Sequence, residues 1–416
     1  MNRNIESEVS AALDHVRGRA IDRDFVSQDR LDVVARERVS AFPWRGQFTP
    51  GLVAALLSSN ALDGATVLDP FVGSGTTLAE ATRSGMHAIG AEVNPAAVEL
   101  AGVFALTSLP ESERLAAMAE AEQQLASCLL GGDETLFDVP SSNLADDVLL
   151  AHKQCSSPEA ANLVAVSLML AMGDSHRLDR ERLRRGFRQV GQIVRQLPAL
   201  ATPCRVFAAD ARELPLDVDS VDIVLTSPPY INVFNYHQNY RPAIELLGWQ
   251  VLSAARTEIG SNRKHRQNRF LTVVQYAIDM MLALEEFQRV CRLGAQIVIV
   301  IGRESRVRRV AFANGEIIGC IAELMPSLKF TRWQERKFTN RFGRVIYEEI
   351  LTFETLGHDA LALGRDYAAE VGRQLLHAGL ARTAEDEVRA EVMEAIEESD
   401  NVMPSPRLAL ARATLS

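Results

Sequence analysis

Short apolar runs alternate along this chain with longer stretches that have helical periodicity. Apolar runs bounded by turn residues are typical of buried parallel strands. Five of them are predicted as strands, at 66–69, 87–92, 205–208, 221–225 and 296–301. A closing hairpin is predicted from 329–337 and 345–353. The alternation of strand and helix predicts an α/β protein with a doubly wound, Rossmann-like sheet.

The alternation is interrupted in the middle of the chain, and it is absent at both ends. Residues 1–40 are predicted as an N-terminal helical segment, and residues 41–100 and 201–355 as the α/β catalytic domain. Residues 101–200 are rich in Ala, Leu and Glu and are predicted as a helical insertion. Residues 356–416 are predicted as a helical, partly disordered C-terminal tail.

Composition places the chain among ordinary globular proteins. Of 416 residues, 47% are hydrophobic and 24% are charged. The chain has no apolar run near the ~18–20 residues of a membrane span, and its first residues lack the apolar region of a signal peptide. The 5 cysteines are scattered, without a close pair or a metal-binding spacing. These features predict a cytoplasmic protein with reduced thiols, no metal and no membrane partner.

Charge is distributed unevenly around a net value of −10. Basic residues concentrate in segments 256–269, 303–309 and 332–344, whereas acidic residues concentrate at 385–400. The acidic balance disfavours a nonspecific nucleic-acid coat protein, because phosphate contacts need Lys and Arg. A basic face on an acidic protein is compatible with DNA binding, and the alternative for any one segment is an ordinary solvated loop or helix face. The arginines of 182–195 leave the same two alternatives open.

A glycine-rich turn, Asp-Pro-Phe-Val-Gly-Ser-Gly-Thr-Thr, follows the first predicted strand at 69–77. Gly73 and Gly75 allow a tight turn and close approach of the backbone to a ligand. The next helix presents free amides at its N-terminus, which suit a carboxylate or a phosphate. Glu92 ends the second strand, where an acid can accept hydrogen bonds from both ribose hydroxyls. A dinucleotide enzyme remains an alternative, but Leu78 occupies the third glycine position of that fingerprint.

A second motif, Thr-Ser-Pro-Pro-Tyr at 226–230, ends the fourth predicted strand. Pro228 and Pro229 stiffen the turn and lack amide hydrogens. The ring of Tyr230 offers a flat face for a planar ligand. An exocyclic amino group can be held between Ser227 Oγ and a proline carbonyl while its ring lies on Tyr230. The sequence thus predicts a site for methylating the amino group of a nucleobase.

The two motifs together resemble those of the amino-methylating DNA methyltransferases that use S-adenosylmethionine. The resemblance covers roughly residues 42–100 and 202–355. It implies a seven-stranded class I methyltransferase sheet, S-adenosylmethionine as cofactor and DNA as partner. The serine form of the second motif is similar to the N4-cytosine branch. Many serine-type members have the two motifs in reverse order, so the N6-adenine branch stays open.

The resemblance also implies a set of site residues. Asp69 would bind the cofactor ammonium, Glu92 its ribose and Asp210 its adenine amino group, while Ser227 Oγ and the Pro228 carbonyl would hold the target nitrogen. A flipped-out base would stack on Tyr230. The implied cofactor-binding residues are Phe48, Thr49, Asp69, Phe71, Gly73, Ser74, Gly75, Thr76, Glu92 and Asp210. The implied catalytic residues are Ser227, Pro228, Pro229 and Tyr230.

Several alternatives to a cytosine-N4 DNA methyltransferase remain at this point. They are an N6-adenine enzyme, an RNA amino-group methyltransferase, a small-molecule methyltransferase and a non-catalytic nucleic-acid-binding module on the same fold. Residues 231–270 are expected either to contact DNA and choose the target or to form a lid loop. Cys204, which follows Pro203, is interpreted as structural rather than as a C5-cytosine nucleophile. A restriction or defence-system partner is a further expectation.

Overall fold

The computed structural model describes residues 2–34, 38–129, 143–231, 236–261, 265–340, 343–357 and 362–408. A seven-stranded sheet lies at its centre, in the order β3-β2-β1-β4-β5-β9-β8. Its strands are β1 (Thr66–Asp69), β2 (His87–Glu92), β3 (Cys204–Ala208), β4 (Val221–Thr226), β5 (Cys291–Gly302), β8 (Leu328–Thr339) and β9 (Val345–Thr355). The first five in spatial order are parallel, whereas β9 runs antiparallel to β5 and to β8. The predicted parallel sheet with a closing hairpin is therefore confirmed.

A separate two-stranded hairpin, β6 (Glu304–Val307) and β7 (Val310–Ala313), follows β5 and was not predicted from the sequence. Its four-residue strands are too short to show a clear period. The helices described are α1 (Asn2–Arg17), α2 (Gln28–Asp32), α3 (Pro50–Asn60), α4 (Thr76–Arg83), α5 (Pro95–Ala105), α6 (Glu111–Leu129), α7 (Leu144–Gln154), α8 (Pro158–Met172), α9 (Arg180–Gln196), α10 (Arg241–Leu246), α11 (Val251–Thr257), α12 (Leu271–Val290), α13 (Asn314–Leu324), α14 (Arg365–Arg382) and α15 (Asp386–Glu398).

Both faces of the sheet are covered by helices, which explains why the strands are continuous apolar runs. Along β5, Ile297, Ile299 and Ile301 point to the face covered by α1, α12, α13 and α14. Val298 and Val300 point to the opposite face, where α3, α5, α6, α8 and α9 pack. Because successive side chains of a strand alternate between faces, one run of β-branched residues supplies both cores.

The helices between β2 and β3 extend the second core. Helix α8 packs against α5, α6, α7 and α9. Helix α9 is amphipathic, with Leu183, Phe187 and Val190 buried and Arg185 and Arg188 exposed. None of the described helices has the length and apolarity needed to cross a membrane.

The C-terminal segment packs on the first core. Helix α14 lies against α1 and α12. Beyond α15, the Ser405 amide donates to Asp279 Oδ1 on α12 at 2.8 Å, and the Ser405 hydroxyl also donates to Asp279. Arg212 Nη1 and Nη2 donate to the carbonyls of Ser405 and Pro406 at 2.8 and 3.0 Å. The described end of the chain is thus held by buried polar contacts next to β3.

Candidate active site

The two sequence motifs meet at the carboxyl ends of the neighbouring strands β1 and β4. These strands pair in parallel, with Leu68 opposite Val224. Thr226 Oγ1 donates to Asp69 Oδ1 at 2.6 Å, and Thr77 Oγ1 donates to Asp69 Oδ2 at 2.6 Å. Burial raises the pKa of Asp69 to about 6, although hydrogen bonds from Thr226, Thr77 and the Phe71 amide act in the opposite direction. One carboxylate therefore joins the glycine loop to the strand that delivers Ser227.

The glycine loop needs both of its glycines for backbone reasons. Gly73 and Gly75 have φ values of +50° and +87°, in the region that favours glycine. A Cβ on Gly73 would lie 3.1 Å from Trp44 Nε1, and a Cβ on Gly75 would lie 2.5 Å from the Phe104 ring. Gly75 thus allows α4 to begin against α5, whereas Gly73 belongs to the cavity wall.

Glu92, at the end of β2, is a second carboxylate, after Asp69, that holds the glycine loop. Its Oε2 accepts from the Gly73 amide at 3.2 Å, and its Oε1 accepts from the amides of Val93 and Asn94 at 2.9 and 3.0 Å. Burial raises the pKa of Glu92 to about 7, and the nearby carboxylate of Glu258 adds to the rise. Glu92 is one of the residues that line the cavity.

A single cavity at this edge of the sheet collects most of the predicted residues. Those that line it are Phe48, Asp69, Phe71, Gly73, Ser74, Thr76, Glu92, Asp210, Ser227 and Pro229. Thr49, Gly75, Pro228 and Tyr230 lie outside the lining. Thr49 is the N-cap residue of α3 but makes no side-chain capping bond, and its hydroxyl instead accepts from Arg336 Nη2 at 3.3 Å.

Both the ring and the hydroxyl of Tyr230 are held by contacts with the sheet. Its ring lies over Gly302, where a Cβ would be 2.9 Å from a ring carbon. Its hydroxyl donates to Glu348 Oε1 on β9 at 3.2 Å, and Ser227 is a second side-chain partner of the same hydroxyl. Burial holds the pKa of Tyr230 well above its ordinary value, and the charge of Glu348 adds to the effect. The ring is therefore fixed beside Ser227, with one side covered by β5.

Asp210 lies in a buried ion-pair network. Arg212 Nε and Nη2 donate to its two carboxylate oxygens at 2.9 and 2.7 Å, and Arg212 Nη1 donates to Asp279 Oδ1 at 2.6 Å. The arginine and Asp279 are fully buried, and Asp210 is 6% exposed. Asp279 lies 67 residues from Arg212 in sequence. No local pattern could have connected them.

Other lining residues were not selected by the sequence analysis. Glu258 accepts from the amide of His237 at 2.7 Å and from its Nδ1 at 3.0 Å, and both side chains are buried. Asn94 accepts from the Ala96 amide at 2.9 Å as the cap of α5. Its Nδ2 is buried and has no hydrogen-bond partner among the described residues. The Asn-Pro pair signals only a helix cap, so nothing in the sequence selects Asn94 as a site residue.

The lining chemistry fits S-adenosylmethionine. Carboxylates suit the ammonium and the ribose hydroxyls, and the orphaned Asn94 amide suits an acceptor on the ligand. Within the described part of the chain, the lining contains no Lys, Arg or His. Across the same residues, no group of three or more His, Cys, Asp or Glu is arranged to hold a metal. Cys204 begins β3, away from this lining, and burial raises its pKa to about 12.

The three basic segments differ in how far their charge is neutralised. In segment 303–309, Arg303 pairs with Glu335 at 2.6 Å and Arg308 with Glu391 at 3.0 Å. Arg336, in segment 332–344, is buried and pairs with Glu348 at 2.7 Å. In segment 256–269, the exposed residues Arg256, Arg266 and Arg269 form no ion pair among the described residues. Arg263, Lys264 and Arg341 lie outside the described residues.

Comparison with known proteins gives partial matches. Residues 29–102 match a family model described as DNA methylase. The Type II methyltransferase M.MjaII of Methanocaldococcus jannaschii is 40% identical over 53 residues, which are 13% of this chain and 10% of that protein. The chain thus matches about a tenth of the length of this curated relative.

Similar solved structures have low identity and low TM-scores. A SAM-dependent methyltransferase from Methanosarcina mazei has a TM-score of 0.34 at 11% identity, covering 72% of this chain and 97% of that one. The rRNA methyltransferase aviRa from Streptomyces viridochromogenes has a TM-score of 0.31 at 14% identity, covering 85% and 97%. The fold assignment rests on the strand order of the chain itself. The chain is thus similar to the DNA methylase family over residues 29–102, which contain the glycine loop and Glu92.

Proposed function

We propose that the protein transfers a methyl group from S-adenosylmethionine to an exocyclic amino group of a DNA base. N4 of a flipped-out cytosine is the first candidate, and N6 of adenine is the second. The observation that carries the proposal is the Asp69 carboxylate, which accepts from Thr226 and Thr77 at once. This contact brings Ser227 and the glycine loop to one cavity.

The cofactor residues follow from the donors and acceptors of the cavity. Glu92 would accept from the ribose hydroxyls, as an acid at this strand end does in nucleotide folds. Asp69 would accept from the cofactor ammonium. Asp210 would accept from the adenine amino group while Arg212 holds its carboxylate in place. Asn94 Nδ2 would donate to the ligand, because it is buried, lies at the cavity and lacks a described partner.

Ser227 and Pro228 would prepare the target nitrogen. When bound, S-adenosylmethionine supplies an electrophilic methyl group whose bond to sulfur breaks as the bond to nitrogen forms, leaving a neutral thioether. An aromatic amino nitrogen is a poor nucleophile because its lone pair is delocalised into the ring. Hydrogen bonds from its two hydrogens to Ser227 Oγ and the Pro228 carbonyl would favour a pyramidal nitrogen. The methylated nitrogen would then lose one proton to solvent.

Tyr230 would stack on the target base after the base leaves the duplex. The contact with Gly302 and the hydrogen bond to Glu348 fix its ring in one orientation. Ring orientation matters because stacking sets where the amino group lies relative to Ser227. The choice of cytosine N4 over adenine N6 rests only on the serine of this motif, and it is the most specific part of the proposal.

DNA contact would come mainly from segment 256–269. Arg256, Arg266 and Arg269 are exposed, and residues 257–259, which follow Arg256 in the chain, line the cavity. The arginines of 303–309 are all paired with carboxylates, which reduces the charge they offer to phosphates. In segment 332–344, Arg336 is buried and paired, whereas Lys337 and Arg344 are exposed and form no ion pair among the described residues. A nucleic-acid contact needs uncompensated positive charge. Segment 256–269 combines such charge with residues that line the cavity, and segment 332–344 contributes none to the lining, so we assign backbone contact to the first of the three segments.

The test is incubation of the purified protein with tritiated S-adenosylmethionine and unmethylated genomic DNA, followed by mass spectrometry of the nucleosides. N4-methylcytosine supports the proposal in full, and N6-methyladenine keeps the mechanism but changes the base. Label in RNA alone moves the enzyme to the RNA amino-group class. Cofactor binding without label in any polymer leaves a binding module or a small-molecule enzyme. A restriction or defence-system partner would be sought by co-purification from the native host.

A further inference from the structure

Segment 257–260 brings an additional carboxylate into the cavity. Thr257, Glu258 and Ile259 line it from the end of α11. Gly260 has a φ of +70°, and a Cβ there would lie 2.7 Å from the Tyr230 carbonyl oxygen. The segment is therefore packed tightly against the Thr-Ser-Pro-Pro-Tyr turn at 226–230. A side chain on this segment is held in a defined position relative to both the glycine loop and Ser227.

The cavity is negatively charged, and its carboxylates are compensated to different degrees. The acidic residues of the lining are Asp69, Glu92, Asp210 and Glu258. Asp210 is neutralised by Arg212, and Asp69 is held by the hydroxyls of Thr77 and Thr226. Glu258 lies 3.0 Å from His237 Nδ1, and no Lys, Arg or His is itself part of the described lining.

Glu92 and Glu258 are close enough to influence each other. The charge of Glu258 contributes to the raised pKa of Glu92, after the larger effect of burial. Two carboxylates that repel each other in a buried cavity are relieved by a cation placed near both. The site is thus suited to a ligand with a positive charge, whatever its other groups are.

We propose that Glu258, positioned by His237, selects the positively charged cofactor over its neutral product. The inference rests on the proposed function. S-adenosylmethionine and S-adenosylhomocysteine share a carboxylate and an ammonium, and they differ by one methyl group and the positive charge on sulfur. A carboxylate in a poorly hydrated site interacts with that charge over several ångströms. The consequence is stronger retention of the cofactor and faster departure of the product.

His237 supports this role by fixing the Glu258 carboxylate. Its amide donates to Oε1 at 2.7 Å, and its Nδ1 lies 3.0 Å from Oε2. Both oxygens are thereby oriented, and the side chain is 5% exposed. The other acids hold structural elements together: Asp69 joins β1 to β4, and Glu92 holds the glycine loop. Glu258 is consequently the acid whose charge can be removed with least disturbance of the cofactor loop.

The experiment measures dissociation constants by titration calorimetry for three ligands. These are S-adenosylmethionine, the positively charged analogue sinefungin and neutral S-adenosylhomocysteine. In Glu258→Gln, which keeps the size of the side chain, the two charged ligands should bind about tenfold more weakly, and the neutral ligand within about twofold of the wild type. Glu258→Asp should keep most of the preference because it keeps the charge. Glu245→Gln, at an exposed site on α10 that pairs with Arg241, is the matched control.

Equal weakening for all three ligands would overturn the inference, because it would make Glu258 a general structural or ribose contact. Unchanged affinities in Glu258→Gln would overturn it as well. Melting temperatures of the variants, measured without ligand, identify a loss of folding, and Glu258→Asp then decides between charge and shape. A wild-type protein that binds none of the three ligands would instead refute the proposed function itself.

Discussion

The central part of the cofactor side, the glycine loop and Glu92, is built from one short stretch of chain, whereas the target side is assembled from distant stretches. On the cofactor side, the Thr77–Asp69 and Gly73–Glu92 hydrogen bonds span 8 and 19 residues. On the target side, the bond from Tyr230 to Glu348 spans 118 residues. The glycine loop and Glu92 therefore lie within a single strand–loop–helix–strand unit, to which Asp210 and Glu258 are added from distant stretches, and the second side depends on the folded sheet as a whole.

This difference has a functional consequence. The glycine loop and Glu92 can remain constant while the contacts around Tyr230 and the arginines of segment 256–269 change with the target. Variants on the cofactor side should alter ligand affinity, and variants on the target side should alter turnover or DNA affinity. The comparison fails if the two kinds of effect cannot be separated.

The largest expected effect is on turnover in Ser227→Ala. Loss of one of two acceptors at the reacting nitrogen should reduce kcat by about 10²- to 10³-fold. The dissociation constant of S-adenosylmethionine should change by less than about threefold, because Ser227 belongs to the target side. Single-turnover methylation of DNA and calorimetry measure the two quantities. Ser220→Ala is the control, since Ser220 lies in the turn before β4, at the opposite end of the strand. A loss of cofactor affinity without a loss of turnover would show that Ser227 contacts the cofactor rather than the target base.

Gly73→Val should act in the opposite way. The backbone at Gly73 has a φ of +50°, and its Cβ would approach Trp44 at 3.1 Å in the cavity wall. We expect cofactor affinity to fall by about 100-fold or more, because a branched side chain at positive φ distorts the loop and blocks approach to it. Gly85→Val is a matched control, with a φ of +74° and no atom within 4 Å of the added Cβ. Equal losses in both variants would indicate backbone strain rather than blocked access.

The same contrast explains what sequence analysis could and could not predict. The bounds of β1 and β2, the glycine loop and the acid at Glu92 follow from local patterns, since strands, turns and helix starts are signalled by neighbouring residues. The role of Glu258 has no such signal, because its partner His237 lies 21 residues away in an irregular segment. The neutralisation of Arg303 by Glu335, across 32 residues, is likewise invisible before folding. The predicted basic face therefore differs most from the structure at the arginines that carboxylates distant in sequence neutralise.

The arginines of the target side give the third prediction. Replacing Arg256, Arg266 and Arg269 with Gln should weaken duplex DNA binding by roughly 30-fold at low salt and reduce the salt slope by up to about 3. The paired arginines Arg306, Arg308 and Arg309, replaced in the same way, should change DNA affinity by less than about threefold. Fluorescence anisotropy at several salt concentrations measures both sets. A larger effect of the second set would return DNA contact to segment 303–309.

The smallest expected effect is a pH dependence of cofactor affinity that arises on the cofactor side. Burial raises the pKa of Glu92 to about 7 and that of Asp69 to about 6 in the free protein. Ribose hydroxyls and a nearby positive charge stabilise the ionised carboxylates, so ligand binding should lower both pKa values and release protons. Affinity for sinefungin should therefore be constant above pH 8 and should fall by about tenfold at pH 6.

Calorimetry of sinefungin binding at pH 7 in phosphate and in Tris buffer measures this proton release directly, because the two buffers differ in ionisation enthalpy. Glu92→Gln should abolish most of the release and flatten the affinity profile between pH 6 and 8. Ser227→Ala should leave both unchanged, since its hydroxyl does not titrate in this range. Proton uptake on binding, or tighter binding at pH 6, would mean that Glu92 meets the ligand as a neutral acid, and the assignment of the ribose to this carboxylate would then be wrong.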